Sequence, residues 1–144
     1  MKLKHNANRA VVAGKRIVLV DDSVVRGTTS IKIVKMMYEA GAREVHMRIA
    51  SPPIRFPDYY GIDTPEKKAL LAASHSLDEM REFIGVDSLA FVSVDGMYRA
   101  TGFEKRDDIN PQFTDHCFTG DYPTRLTDIE GTNGKQQLSL LAEA

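Results

Sequence analysis

The run Ile17-Val18-Leu19-Val20, followed at once by Asp21 and Asp22, constrains this chain more than any other feature. Consecutive apolar, mostly β-branched residues predict a short strand covered on both faces of a parallel sheet. The two acids then stand at the carboxyl end of that strand, where open α/β sheets bind their ligands. Gly27 frees the backbone for a tight turn, and Thr28 and Thr29 supply hydroxyls and cap a helix over 30–40. The unpaired N–H groups at a helix start, with the positive end of its dipole, make an anion site. One segment therefore offers carboxylates for a diol or a hard cation beside a cradle for a phosphate. A sugar phosphate with Mg²⁺ is a ligand that needs both.

Size and charge narrow the field. The chain has 144 residues and 16.1 kDa, 42% of them hydrophobic, which is enough for a single core. Its 19 basic and 20 acidic residues nearly cancel and argue against nucleic acid as a partner. No apolar run has membrane-spanning length, the first residues lack a secretory apolar stretch, and nothing points to a membrane partner. A single Cys excludes an internal disulfide and fits a reducing cytoplasm.

The remaining pattern extends the α/β reading. Ile31, Val34 and Tyr38, with Ile33 and Met37 beside them, form an amphipathic helical face that Gly41 can terminate. Val45, Met47 and Ile49 alternate with polar residues in a second strand over 44–49, completing a right-handed βαβ unit with parallel strands. Residues 51–60, rich in proline and aromatics, form a structured loop, with Phe56, Tyr59 and Tyr60 packing it. A helix over 65–73 starts with Pro65, and a second over 76–83 carries a capping box of Ser76 and Glu79. A third strand over 88–92 and a short helix over 95–101 follow. The chain divides into an N-terminal segment over 1–14, an α/β core over 15–103 and a polar extension over 104–144, with a flexible tail near 131–137.

The segment from Ile17 to Ser30 resembles the phosphoribosyl-pyrophosphate (PRPP) motif of type I phosphoribosyltransferases. KHNANRAVVAGKRIVLVDDSVVRGTTS, EAGAREVHMRIASPPIRFPDYYGID, REFIGVDSLAFVSVDG and CFTGDYP together resemble one family, the amidophosphoribosyltransferases. Its members form phosphoribosylamine at the first committed step of purine synthesis. The likeness runs from about Lys2 to Tyr122. It implies a parallel-sheet, Rossmann-like phosphoribosyltransferase fold, of which this chain is the C-terminal half. A complete domain places a flexible loop and further strands before the motif, and about sixteen residues are too few for a βαβ unit. The family's glutaminase domain is likewise missing, so the chain reads as a truncated product or a fragment. A half sheet would leave the edge of the 17–20 strand unpaired and its apolar faces only partly covered, which predicts self-association and little transferase activity.

The resemblance also implies roles. Asp21 and Asp22 hold the ribose hydroxyls and help bind Mg²⁺. Ser23, Val25, Arg26, Gly27, Thr28 and Thr29 surround the 5′-phosphate, and Lys4 faces the pyrophosphate, with Asn6 near its oxygens. PRPP and pyrophosphate are the ligands, purine nucleotides are feedback inhibitors at the same phosphate loop, and the protein is a homo-oligomer. No residue need transfer a proton. Some members hold an iron–sulfur cluster through several Cys, but Thr114 and Asp58 stand at two of those positions here. One Cys cannot supply a four-iron cluster, so none is expected, and Cys117 is a small buried apolar residue.

Other readings stay open at this point. Acids at strand ends are common solvated turn residues. A receiver domain also pairs acids after its first strand, but its next strand would end in an acid rather than in Ala50-Ser51-Pro52. A non-catalytic PRPP- or nucleotide-binding module keeps the loop without the chemistry, and a phosphoribosyltransferase with a nucleobase acceptor would share it. His5, His46, His75 and His116 have no metal-ligand spacing.

Overall fold

The computed structural model describes residues 6–126; Lys4, His5 and the tail near 131–137 lie outside them. Three short segments with apolar alternation build one parallel sheet. Strand β1 (Arg16–Asp21) pairs with β2 (Glu44–Ile49), which pairs with β3 (Ser88–Phe91), in the order β1-β2-β3. The register runs from Arg16 opposite Glu44 to Asp21 opposite Ile49, and from His46 opposite Ser88 to Ile49 opposite Phe91. A single helical turn, α1 (Arg9–Val12), precedes β1, and the Asn8 side chain caps it by accepting the Ala10 N–H at 3.1 Å.

Helix α2 (Thr28–Glu39) connects β1 to β2; α3 (Leu71–Ser74) and α4 (Leu77–Ile84) lead into β3; α5 (Val94–Ala100) and α6 (His116–Thr119) follow. The core is made where α2 and α4 pack against one face of the sheet. Val34, Val45, Met47, Ile49, Met80 and Ile84 are all buried there. Along β2, buried Val45, Met47 and Ile49 alternate with half-buried Glu44 and His46 and exposed Arg48, as the period of a strand requires. Asp87, just before β3, ties the layers together. Its Oδ2 accepts the Val45 N–H at 2.7 Å and the Tyr38 hydroxyl at 2.8 Å, and these bonds hold its carboxyl below the usual range.

Helix α4 starts as its sequence predicts. Ser76 Oγ accepts the Glu79 N–H while the Glu79 carboxylate accepts the Ser76 N–H at 2.7 Å, and Gly85 ends the helix at a φ of 81°. The end of α2 is also as expected: Gly41, at a φ of 94°, closes it with its N–H on the Tyr38 carbonyl.

Three expectations need correction. β1 is not covered on both faces, because Val18 and Val20 are 61% and 76% exposed. Among the described residues β1 is an edge strand, and only Leu19 of its apolar run leans on the core. Thr28 and Thr29 do not cap α2 but form its first turn; Gly27 takes the cap position, and no side chain caps that helix. The helix expected over 65–73 is split into a 3₁₀ turn (Lys67–Ala69) and α3. The extended backbone of Leu70 separates them, and its side chain is wholly buried.

Candidate functional site

The turn between β1 and α2 forms the floor of a pocket of about 410 Å³, within the usual size for small-ligand sites of roughly 300–1,000 Å³. It is lined by every residue from Asp21 to Ser30 and by Asp63 and Pro65. The strand delivers the two acids to its rim. Asp21 Oδ1 accepts the Asp22 N–H at 3.0 Å, and Asp22 Oδ1 accepts the Ser23 hydroxyl at 3.1 Å. Val24 is buried in the core and pins the loop from below, so the residues on either side of it are held at the surface.

Gly27 is required twice over. Its φ of 74° is unfavourable for other residues, and a Cβ there would sit 2.8 Å from Leu71 Cδ2 and 3.1 Å from the Phe83 ring. The turn can therefore lie flat against α3 and α4. The helix begins with the Ile31 N–H on the Gly27 carbonyl at 3.0 Å. With no capping side chain, the first N–H groups of α2 remain available to an anion beside exposed Thr28, Thr29 and Arg26. Val25 contributes through its backbone, its carbonyl accepting the Leu71 N–H at 2.9 Å.

The structure thus brings together Asp21, Asp22, Ser23, Val25, Arg26, Gly27, Thr28 and Thr29 around one hollow. Lys4 lies outside the described residues. The sequence does not mark Asp63 or Pro65 as site residues: Asp63 closes the FPDYYGID block, and Pro65 reads only as a helix start. They reach the pocket only because the 51–70 connection returns beside the β1–α2 turn.

A second polar group lies where that connection meets α6. Asp58, His116 and Cys117 bring potential ligand atoms within 4.8 Å of one another. The imidazole Nε2 donates to Asp58 Oδ1 at 2.6 Å, while Asp58 Oδ2 accepts the N–H groups of Tyr60 at 3.0 Å and Ile62 at 2.7 Å. Burial pushes the Asp58 carboxyl up, but these donors outweigh it and hold the group below the usual carboxylate range. Burial, then the Asp58 charge, pushes the Cys117 thiol up, and Cys117 is half-buried rather than fully enclosed. One thiol beside a carboxylate and an imidazole does not fit an iron–sulfur cluster, which takes several thiolates. Of the loop aromatics, Tyr60 sets its ring centroid 5.0 Å from that of His116 and Tyr59 5.5 Å from that of Tyr122, while both stay nearly half exposed.

The described residues contain no helix long and apolar enough to cross a membrane. No protein-family model matches the chain. Among curated proteins, amidophosphoribosyltransferase of Rhizobium etli is 62% identical over 143 residues, 99% of this chain and 29% of that protein. The Bacillus subtilis amidophosphoribosyltransferase is 53% identical over 88% of this chain and 26% of its own length. A chloroplastic relative of Arabidopsis thaliana is 51% identical over 93% and 23%. The chain thus spans less than a third of the length of these relatives. Among solved structures, glutamine PRPP amidotransferase from B. subtilis, complexed with ADP and GMP, superposes with a TM-score of 0.75 at 55% identity, covering 83% of this chain and 26% of that one. Over the length it spans, this chain matches the C-terminal part of the amidophosphoribosyltransferases.

Proposed function

We propose that this chain supplies the ribose and 5′-phosphate side of a PRPP site in an amidophosphoribosyltransferase. In that reaction ammonia derived from glutamine displaces pyrophosphate from C1 of PRPP to give phosphoribosylamine. The observation that carries the reading is the pocket in which Asp21 and Asp22 face the uncapped start of α2. In this reading the first-turn N–H groups of α2, with Thr28, Thr29 and Arg26, bind the 5′-phosphate, and Ser23 and Val25 shape the loop around it. Asp21 and Asp22 hold the ribose hydroxyls. Their hard oxygens also fit Mg²⁺, which shares ligands with substrate oxygens and when bound would offset charge on the pyrophosphate. Lys4 is proposed to face that pyrophosphate.

No side chain of the pocket is needed as a proton-transfer catalyst. The C1 centre gains positive character as pyrophosphate departs, so holding both ends of the substrate in register accounts for the catalysis required of this chain. The B. subtilis relative is described as complexed with ADP and GMP. A purine nucleotide carries the same 5′-phosphate and ribose, and we extend nucleotide binding to this pocket on that ground. The test is titration calorimetry with PRPP, with and without Mg²⁺, alongside an assay of ammonia-dependent pyrophosphate release. Mg²⁺-dependent PRPP binding is expected; no binding of PRPP under either condition would sink the reading.

A further inference from the structure

The wall of the pocket opposite the phosphate cradle belongs to a loop whose position depends on residues far away in sequence. Asp63 and Pro65 form that wall. On the C-terminal side the loop is tied to the cradle itself, through the Leu71 N–H on the Val25 carbonyl. On the N-terminal side it is organised by Asp58. Its carboxylate gathers the N–H groups of Tyr60 and Ile62, and its own N–H donates to Thr64 Oγ1 at 2.6 Å, closing residues 58–64 into a compact turn. His116, on α6, ties this turn from inside through the 2.6 Å bond to Asp58, beside the Tyr122 hydroxyl on the Pro57 carbonyl and the Tyr60 hydroxyl on Thr124 Oγ1, both at 2.8 Å. The neighbouring backbone reinforces the contact, because the Arg55 and Phe56 N–H groups both donate to the Cys117 carbonyl, at 2.9 and 3.1 Å.

We propose that Asp58 and His116 are positioning residues that set the Asp63–Pro65 wall of the pocket and thereby its affinity for PRPP, an inference that rests on the function proposed above. The energetics favour a positioning role over simple stabilisation. His116 is buried and its Nδ1 has no hydrogen-bond partner. An imidazole buried with one nitrogen unsatisfied is a costly way to fill space, since an orphaned polar atom forfeits its solvation. A buried carboxylate–imidazole hydrogen bond is weak evidence for stability, and a buried polar pair of this kind can instead serve to fix one arrangement of the segments it joins. Here the segments joined are a loop bearing the pocket wall and a helix 58 positions away.

The test uses the chain with Asp58→Asn, His116→Ala and His116→Gln. Asn keeps an oxygen for the Tyr60 and Ile62 N–H groups but removes the charge that holds His116; Gln keeps an N–H donor of similar reach. PRPP affinity in calorimetry is expected to fall roughly 3- to 30-fold in the Asn and Ala variants, the range typical of residues that act on a site through packing. Amide exchange over 59–66 should rise while the amides of β1, β2 and β3 keep their protection, and Gln should restore both readings. Unchanged 59–66 exchange or unchanged PRPP affinity in Asp58→Asn overturns the proposal. An equal rise in exchange through the sheet also overturns it, by making the pair a general stabiliser. If the unsubstituted chain fails to bind PRPP, the proposed function falls instead, and local exchange alone decides whether the pair sets the wall.

Discussion

The two sides of the pocket are built in opposite ways. The cradle side is one continuous run, Asp21 to Ser30, in which strand, turn and helix follow one another over the buried Val24 and against Leu71 and Phe83. The wall side, Asp63 and Pro65, is held by contacts to Val25 through Leu71 and to α6 through Asp58. Its order along the chain is local, and among the described residues its support comes from α3 and α4. The wall inherits the state of every segment that clamps it, including Phe56, which lies against Gly120 so closely that a Cβ there would be 2.8 Å from the ring.

The comparison breaks most decisively at the cradle. Replacing Asp21 and Asp22 together with Asn should weaken Mg²⁺-dependent PRPP binding by roughly 100-fold or more, because each charge-assisted contact is worth about 1.5–3 kcal/mol. The far-ultraviolet circular dichroism should stay the same, since neither carboxylate supports the core. PRPP affinity that survives the double change would place the ligand elsewhere.

Gly27→Ala tests whether the cradle owes its shape to the helices beneath it. A Cβ pressed against Leu71 and Phe83 at a positive φ should cost about 1–3 kcal/mol of stability by overpacking and weaken phosphate binding as well. A urea midpoint equal to that of the original chain would show that the turn can lift away freely.

Acid should loosen the wall side before the cradle. Burial works against ionisation of Asp115, but bonds from Arg106 at 2.7 Å, Tyr98 at 2.9 Å and Thr119 at 3.0 Å hold its carboxyl below the usual range, as Asp58 is held. Carboxyls depressed in the folded state add stability that is complete above their unfolded value, about 3.9 for Asp, and lost as pH falls through the lower folded value. Protection factors, taken from pH 6 to pH 3 against the intrinsic exchange rate at each pH, should therefore fall first over 55–64 and 113–122. Asp58→Asn should flatten that dependence in the 55–64 loop, and a pH response confined to 21–30 would refute the assignment.

The smallest effect expected is a control. Ser76→Ala removes half of the capping box of α4 and should cost about 1 kcal/mol of stability without changing PRPP affinity. A parallel loss of affinity would show that the cradle is less local than its construction implies.

Much of the cradle was legible in sequence because it is made of short-range signals. Apolar residues ending at Asp21-Asp22, a glycine where the turn must reverse and the Ser76–Glu79 box each act within a few residues. The misreadings lay where tertiary contacts override such signals. Thr28 and Thr29 look like helix caps, but the close approach of Leu71 and Phe83 puts Gly27 in that position. Pro65 looks like a helix start, but burial of Leu70 breaks the helix into two pieces.

By itself, the sequence determined the three strands, the parallel β1–α2–β2 frame and the placing of two carboxylates beside the start of α2. These follow from periodicity and turn chemistry, which are properties of adjacent residues. Only the tertiary structure decided that Asp63 completes the pocket and that Asp58 and His116 meet. Each of these depends on which distant segments lie side by side, and no local pattern in the chain encodes that.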